Sequence, residues 1–377
     1  MNKKIIVPIL LIVAVILIVV LIMCTRKEPA QNVLKIGCIT VMSGSGATYG
    51  RETQQGLDLA IEEANASGIL GAKTIKIIYE DSQLDAKVGT QAINKLINVE
   101  RVPIIIGEFS SRVTLAIAPI AERNKTVLLS ASATADAIKD AGDYIFRIVP
   151  PNRAQGTTAA KFAFGNLSKK KAAVFYVNDE YGVSLAAEFK KAFVSLGGEI
   201  VFDEAFDPSE RDFRTALHKI KITEPEIVFS PGQYTETGLI LRQAIETGLH
   251  AIFIGGDGSY SPDLVKIAGS AAEGSYYTMM AMGFGVSDEE IRTFEERFKS
   301  KYNEEPGVYT AYAYEAGRIV AHVLARTEFN AESIKNALYQ LKDFKGVTGY
   351  TTFDKFGEVE KEFYVYVVKA GKFVLAK

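Results

Sequence analysis

Hydroxyl side chains follow two apolar runs of this 377-residue chain, at the points where the runs end. Ser111 comes shortly after the run 102–107, and Ser132 and Thr134 come after the run 126–129. Nearly continuous apolar runs predict strands buried on both faces of a parallel sheet, and ligands bind at the carboxyl ends of such strands. We therefore expect these hydroxyls to lie together at a small-molecule site.

An acidic side chain has the same kind of position further along the chain. The apolar run 251–254 leads into Gly-Gly-Asp-Gly, which contains Asp257. Such an aspartate is usually a turn former, and Ser111 and Thr134 could be ordinary helix N-caps. A helix start also offers free N–H groups and the positive end of its dipole, where a carboxylate can bind. Hydroxyls and one acid together suit a zwitterion.

Three tyrosines, Tyr49, Tyr181 and Tyr234, each stand at the start of a predicted helix. The N-termini of these helices lie at the edge of the predicted sheet where a ligand would bind. Tyrosines are commonly half-buried structural residues, so a structural role and a ligand contact both remain open for each of them.

The composition excludes several other classes of function. Hydrophobic residues make up 48% of the chain and the net charge is -2, so a polyanionic partner such as nucleic acid is not expected. The two cysteines and three histidines are widely separated, which predicts neither a metal site nor a disulfide framework. No G-x-S-x-G elbow and no phosphate-loop pattern is present. We expect neither catalysis nor a cofactor.

The first residues have the character of a membrane segment. After Lys3 and Lys4, the stretch 5–23 is apolar throughout and about as long as a bilayer core is thick. A retained anchor helix is the favoured interpretation, because a cleaved signal has a shorter apolar region. The alternative is a lipoprotein signal with Cys24 as the lipidated residue, although the bulky Met23 precedes it. Either interpretation exports the folded part and tethers it to the membrane.

From residue 33 onward, strand-like and helix-like patterns alternate, which predicts parallel sheets with helices on both faces. The first series has predicted strands at 33–41, 74–79, 102–107 and 126–129, and helices at 49–66, 86–99 and 111–123. The second has strands at 172–176, 199–206, 227–230 and 251–254, and helices at 153–164, 182–196, 210–220 and 235–247. Later helices are predicted at 288–302, 309–325 and 331–341, and strands at 348–353 and 363–368. Pro150 and Pro151 mark a crossover between two lobes.

Several short motifs occur in a characteristic order along these elements. They are Thr48-Tyr49-Gly50, Ser130 to Thr134, Asn178-Asp179-Glu180-Tyr181-Gly182, Gly255 to Gly258 and Ala272-Glu273-Gly274. In this order and spacing the chain resembles the type I periplasmic binding proteins, and within them the branched-chain amino acid (Leu/Ile/Val) binding branch. The resemblance covers nearly all of residues 33–377.

The resemblance implies an α/β fold of two Rossmann-like lobes, each with a parallel sheet flanked by helices. A three-strand hinge joins the two lobes, and an N-terminal membrane-anchor helix precedes them. The expected boundaries are 1–24 for the anchor or signal, 25–32 for a linker, 33–151 and 281–345 for lobe I, and 152–280 and 346–377 for lobe II with the hinge.

The resemblance also assigns roles to the polar residues. Ser111 and Thr134 match positions that hold a ligand's α-carboxylate. Ser132 and Thr134 match positions that help to receive the α-ammonium, and Asp257 matches the acid that pairs with it.

Aromatic positions around the ligand side chain match Tyr49 and Tyr181. A further aromatic position aligns with Gln233, and Tyr234 follows one residue later, so that contact departs from the family pattern.

The implied function is an extracytoplasmic substrate-binding protein. It would capture a free amino acid, branched-chain or otherwise aliphatic, and deliver it to the permease subunits of an ABC transporter, as a membrane-tethered monomer at the cell membrane. An amino-acid or amide sensor domain that reports to a signalling partner is the alternative. Only residues 1–4 precede the apolar stretch, so this chain is not expected to carry a cytoplasmic output domain of its own.

Overall fold

The computed structural model describes residues 32–280, 282 and 287–376. The predicted anchor at 5–23 and the lipidation candidate Cys24 lie outside these residues. Among the described helices, none is long and apolar enough to cross a membrane.

The first lobe is built on a five-stranded parallel sheet with the strand order β2-β1-β3-β4-β5. Its strands are β1 (Asn32–Thr40), β2 (Lys73–Asp81), β3 (Ile104–Gly107), β4 (Val127–Ser130) and β5 (Ile145–Arg147). Its helices are α1 (Ala47–Ala66), α2 (Ala86–Lys95), α3 (Ser111–Arg123), α9 (Asp288–Tyr302), α10 (Val308–Leu324) and α11 (Ala331–Gln340). Every residue of β3 and β4 is buried, as expected of central parallel strands.

Helical periodicity explains how α1 attaches to this lobe. Leu57, Ala60, Ile61 and Ala64 recur at helical spacing and are all buried, so they form the inner face of the helix. A short hairpin of β11 (Phe344–Gly346) and β12 (Gly349–Thr351) packs against α10.

The second lobe is built on a seven-stranded sheet with the strand order β14-β13-β10-β9-β8-β6-β7. Its strands are β6 (Lys171–Val177), β7 (Glu199–Phe206), β8 (Ile227–Phe229), β9 (Ile252–Gly255), β10 (Tyr276–Met280), β13 (Phe363–Lys369) and β14 (Lys372–Leu375). Its helices are α4 (Asn152–Lys161), α5 (Glu180–Ser195), α6 (Arg214–Ile222), α7 (Tyr234–Thr247) and α8 (Pro262–Ala268). Strands β13 and β14 are antiparallel to their neighbours and the rest are parallel.

The chain passes between the lobes at 148–151, between β10 and α9, and at 352–362. Glu358 on the third passage accepts hydrogen bonds from two arginines at the first. One is the buried Arg147 at the end of β5, and the other is Arg153 in the first turn of α4, whose Nη2 lies 2.6 Å from Glu358 Oε2. One carboxylate thus ties two passages together.

The predicted alternation of parallel strands and helices in two lobes is confirmed, with local differences. The helix predicted from residue 210 begins at Arg214, because the side chain of Asp207 accepts from the backbone N–H of Ser209 (2.8 Å) and holds a turn there. The strand predicted at 348–353 is the second arm of the hairpin, which begins after the turn, at Gly349 with φ of 105°.

The close contact between α1 and α10 allows a test of the packing. A Cβ placed on Gly56 would lie 2.2 Å from the carbonyl oxygen of Thr310 on the facing helix. We expect Gly56→Ala to lower the free energy of unfolding by about 1–3 kcal/mol, because the helices must move apart. Urea unfolding measures this. Gly165→Ala is the control, since no atom beyond its chain neighbours and its own helix backbone lies within 4 Å of its Cβ position. Equal effects in both variants would refute the close-packing argument.

Candidate functional site

A small cavity of about 10 Å³ lies between the two lobes, at the carboxyl ends of the central strands of both sheets. The first lobe lines it with Phe109, Ser110, Ser111, Ser132, Thr134 and Tyr309, and the second lobe with Tyr181, Gln233, Asp257 and Gly258. The structure therefore brings together five residues singled out from the sequence: Ser111, Ser132, Thr134, Tyr181 and Asp257.

Ser111 organises the hydroxyl side of the cavity. It is the first residue of α3, and its Oγ accepts hydrogen bonds from the backbone N–H groups of Thr134 (3.2 Å) and Ala135 (3.1 Å). Ser111 is therefore not the N-cap, a position that Ser110 occupies; its hydroxyl instead joins the start of α3 to the loop after β4. Its own hydroxyl hydrogen can still be donated into the cavity.

Thr134 presents a buried hydroxyl whose Oγ1 has no hydrogen-bond partner among the described residues. Leaving such a group unsatisfied costs about 1–3 kcal/mol, so an unpaired hydroxyl on a cavity wall favours a polar ligand atom there. The hydroxyl of Ser132 lies 3.5 Å from the carbonyl oxygen of Glu108.

Glu108, which the sequence patterns did not reveal, holds the loops after β3 and β4 in place through hydrogen bonds. Its carboxyl group accepts from the hydroxyl of Ser82 (2.7 Å) and from the backbone N–H of Ser110 (2.6 Å). Its carbonyl oxygen also accepts from the hydroxyl of Ser130 at 3.0 Å. Burial raises the pKa of Glu108 to about 7, although the donors from Ser82 and Ser110 oppose the shift.

Asp257 supplies the opposite chemistry from the second lobe. It follows β9, is 3% exposed, and its Oδ1 accepts from the hydroxyl of Tyr181 (2.8 Å) and from Nε2 of Gln155 (2.9 Å). Burial raises the pKa of Asp257, and the two donors work against that shift. A buried carboxylate of this kind calls for a cationic partner.

The aromatic residues close the cleft around the cavity. The ring of Tyr49 stacks on Phe109 with centroids 4.0 Å apart, and its hydroxyl donates across the cleft to the carbonyl oxygen of Gly258. The hydroxyl of Tyr234 donates back across the cleft to the carbonyl oxygen of Ser45. Tyr49 and Tyr234 thus lie behind the lining residues and hold the lobes together.

Part of the lining was not predicted from the sequence. Tyr309 begins α10 in the manner of the three tyrosines that were considered, and its hydroxyl donates to the carbonyl oxygen of Asp257 (2.8 Å). Gln233 stands where the resemblance places an aromatic side chain, and its Oε1 is buried without a partner in the part of the chain that the structure describes. Nothing in the sequence pattern pointed to Phe109 or Gln155.

No group of three or more His, Cys, Asp or Glu side chains among the described residues is placed to hold a metal ion. Cys38 is buried in β1, and burial raises the pKa of its thiol. It behaves as a small hydrophobic residue.

Comparison with known proteins agrees with this geometry. A family model described as "Periplasmic binding protein" matches residues 33–372. The leucine-, isoleucine-, valine-, threonine- and alanine-binding protein of Pseudomonas aeruginosa is 30% identical over 341 residues, which are 89% of this chain and 90% of that protein.

Two solved structures are similar over nearly their whole length. The leucine-binding protein LivK of Thermotoga maritima has a TM-score of 0.87 at 30% identity, with 91% of this chain and 98% of that chain covered. LivJ of Streptococcus pneumoniae, a branched-chain amino acid transporter substrate-binding protein in complex with isoleucine, has a TM-score of 0.85 at 31% identity and the same coverage. The resemblance seen in the sequence is confirmed: this chain belongs to the periplasmic binding protein family, in its Leu/Ile/Val-binding branch.

Proposed function

We propose that this protein captures a free α-amino acid with a branched or otherwise aliphatic side chain between its lobes, and delivers it to the permease subunits of an ABC transporter. The observation that carries the proposal is the pairing of opposite chemistries across one cavity. Ser111 and the unpartnered hydroxyl of Thr134 lie on one wall, and the buried carboxyl group of Asp257 lies on the other.

The charges of an amino acid explain why both walls are needed. Burying an ionised carboxylate or ammonium group costs several kcal/mol per ion unless it is paired and hydrogen-bonded. In the proposal, Ser111 and Thr134 donate to the ligand carboxylate, while Asp257 neutralises the ammonium with help from Ser132 and Thr134. Because the two walls belong to different lobes, the ligand stabilises the closed arrangement.

The size of the cavity implies that the lobes open before the ligand enters and close after it. A volume of about 10 Å³ holds roughly one water-sized group, so an amino acid enters only when the lobes separate. Closure then forms the contacts across the cleft, including Tyr49 with Gly258 and Tyr234 with Ser45. The closed shape is the signal that a permease recognises.

The aromatic residues that line the cavity explain why we propose a ligand with an aliphatic side chain. Phe109 and Tyr309 meet edge to face with centroids 5.0 Å apart, and Tyr181 lines the cavity from the opposite lobe. Ring faces and edges pack well against aliphatic carbon. No reaction is catalysed in this scheme.

We further propose that residues 33–151 and 281–351 move as one lobe, and 152–280 and 352–377, with the hinge, as the other. The division expected after residue 345 is moved to 351, because the β11–β12 hairpin packs against α10 of the first lobe. The apolar stretch 5–23, or a lipid on Cys24, would keep the extracytoplasmic binding domain at the membrane as a monomer.

Replacing Thr134 by valine tests the site, because it removes the unpartnered hydroxyl and keeps the shape. We expect Thr134→Val to weaken L-isoleucine binding about tenfold in titration calorimetry, since one donor to the carboxylate is lost. The thermal stability of the unliganded protein should not fall, because the buried hydroxyl has no hydrogen bond to lose. Thr40→Val is the matched control: Thr40 is also buried with an unpartnered Oγ1, but it does not line the cavity. An unchanged dissociation constant in Thr134→Val, or equal losses in both variants, would argue against this site.

A further inference from the structure

Gln155 occupies an unusual place in the fold. It is fully buried in the first turn of α4, which begins directly after the passage at 148–151. Its Nε2 donates to Oδ1 of Asp257 (2.9 Å) and to two oxygens of Thr278, Oγ1 at 3.0 Å and the carbonyl oxygen at 3.2 Å. Thr278 lies on β10, two residues before the chain leaves for the second passage between the lobes. One amide thus contacts the acid of the site and the strand that leads into the hinge.

The same helix turn also contacts both walls of the cavity through Asn152. The backbone N–H of Asn152 donates to the carbonyl oxygen of Thr134 on the first lobe (2.7 Å). Its side-chain Nδ2 donates to the carbonyl oxygen of Tyr181 on the second lobe (3.1 Å). The start of α4 is therefore where the two halves of the site and the hinge meet.

We propose that Gln155 is a positioning residue of the amino-acid site: it holds the carboxylate of Asp257 in its orientation and charge state, and ties that carboxylate to the hinge. This inference rests on the proposed function and adds to it a residue that does not line the cavity. Gln155 and the hydroxyl of Tyr181 both donate to Oδ1, and in the proposal Oδ2 is the oxygen that receives the ligand ammonium.

The surroundings of Asp257 make this donor important. The titratable groups that face Asp257 are the hydroxyls of Tyr49 on α1, Tyr181 on α5 and Tyr309 on α10, and burial raises the pKa of each far above neutrality. Each hydroxyl therefore stays neutral, and these groups place no charge of either sign beside Asp257. Hydrogen bonds are then what keeps the carboxylate ionised before the ligand arrives, and Gln155 supplies one of them.

The test is titration calorimetry of L-isoleucine across pH 5–8 with the wild type and Gln155→Met. In the wild type, binding weakens as the pH falls, because protonation of Asp257 removes the partner of the ammonium. Without the amide donor the pKa of Asp257 rises, so we expect about tenfold weaker binding at neutral pH and loss of binding at a higher pH than in the wild type.

A purely structural role predicts a different pattern, for which Gln243→Met is the control. Gln243 is equally buried in the second lobe, where its amide bonds to the backbone of Phe213 (2.6 Å) and Arg211 (2.8 Å). That variant should lose stability but keep the wild-type pH profile of binding.

A second variant covers the case in which Gln155→Met fails to fold. In Gln155→Glu the new carboxyl group can donate to Asp257 only when protonated, so binding should strengthen rather than weaken as the pH is lowered from 8. A wild-type pH profile in the folded variants would overturn the role of Gln155. If the wild type itself bound none of the aliphatic amino acids, the proposed function would fail instead.

Discussion

Asp257→Ala is expected to weaken the binding of L-isoleucine by at least about a hundredfold. Removing one partner of a buried ion pair costs about 3–5 kcal/mol, and each 1.4 kcal/mol is a factor of about ten in affinity. Asp257 is buried on a cavity wall, and it is the only carboxylate among the described residues that line the cavity. The ligand ammonium would therefore be left without a counter-charge. Titration calorimetry of wild type and variant at pH 7.5 measures the ratio.

Two further variants separate charge from shape. Asp257→Asn keeps the size of the side chain and should lose nearly as much affinity, because the charge is what the ammonium requires. Asp203→Ala removes an exposed carboxylate of the same lobe, which is paired with Lys190 at 2.6 Å, and should leave affinity unchanged. Binding to Asp257→Ala within about threefold of the wild type would show that the ammonium is held elsewhere.

Lys361→Met is expected to lower the free energy of unfolding by about 3–5 kcal/mol, because it leaves a carboxylate buried without its cation. Lys361 lies on the third passage between the lobes, and its Nζ is 2.8 Å from Oε1 of Glu315 on α10. Both side chains are almost completely buried, and Glu315 also accepts from the hydroxyls of Thr348 (2.5 Å) and Thr351 (2.6 Å). Urea unfolding at pH 7 gives the difference.

The pH dependence of the free energy of unfolding tests the Lys361–Glu315 pair independently. Burial alone would raise the pKa of Glu315, but Lys361 and the hydroxyl donors prevail and hold it below its usual value. The wild type therefore has this stabilisation above the unfolded pKa of a glutamate and loses it as the pH falls through the lower folded pKa. In Lys361→Met, the unpaired Glu315 has a raised pKa, so lowering the pH should relieve part of the destabilisation.

An exposed ion pair serves as the reference for this variant. Lys219 lies 3.2 Å from Glu204 on the surface of the second lobe, and Lys219→Met should cost no more than about 1 kcal/mol. Equal losses in Lys219→Met and Lys361→Met would mean that the buried pair does not anchor the third passage.

The polar walls of the site were predictable because they follow from strand ends. Polar residues directly follow the apolar runs of β3, β4 and β9. Parallel strands bring their carboxyl ends to one edge of the sheet. Ser111 and Asp257 could therefore be placed together from the sequence. Gln155 could not, because its contact with Asp257 joins residues 102 positions apart and depends on how α4 approaches β9.

The regular elements with long periodic patterns were also predictable. Helix α3 and strand β7 have the predicted boundaries. The strands β5, β10, β11 and β14 were not anticipated, since their order comes from their neighbours in the sheet rather than from a continuous apolar run or a clear period-2 pattern. The contacts of Tyr49 and Tyr234 across the cleft depend on side-chain rotamers and on the closure of the lobes, neither of which a sequence pattern reveals.

The most direct measurement of the central claim compares L-isoleucine with two relatives that each lack one charge. L-Isoleucinamide keeps the ammonium without the carboxylate, and 3-methylpentanoate keeps the carboxylate without the ammonium. If the first lobe holds one charge and Asp257 the other, calorimetry should show binding of L-isoleucine and at least about hundredfold weaker binding of both relatives. Binding of either relative within about tenfold of L-isoleucine would contradict the claim that the two lobes grip opposite ends of a zwitterion.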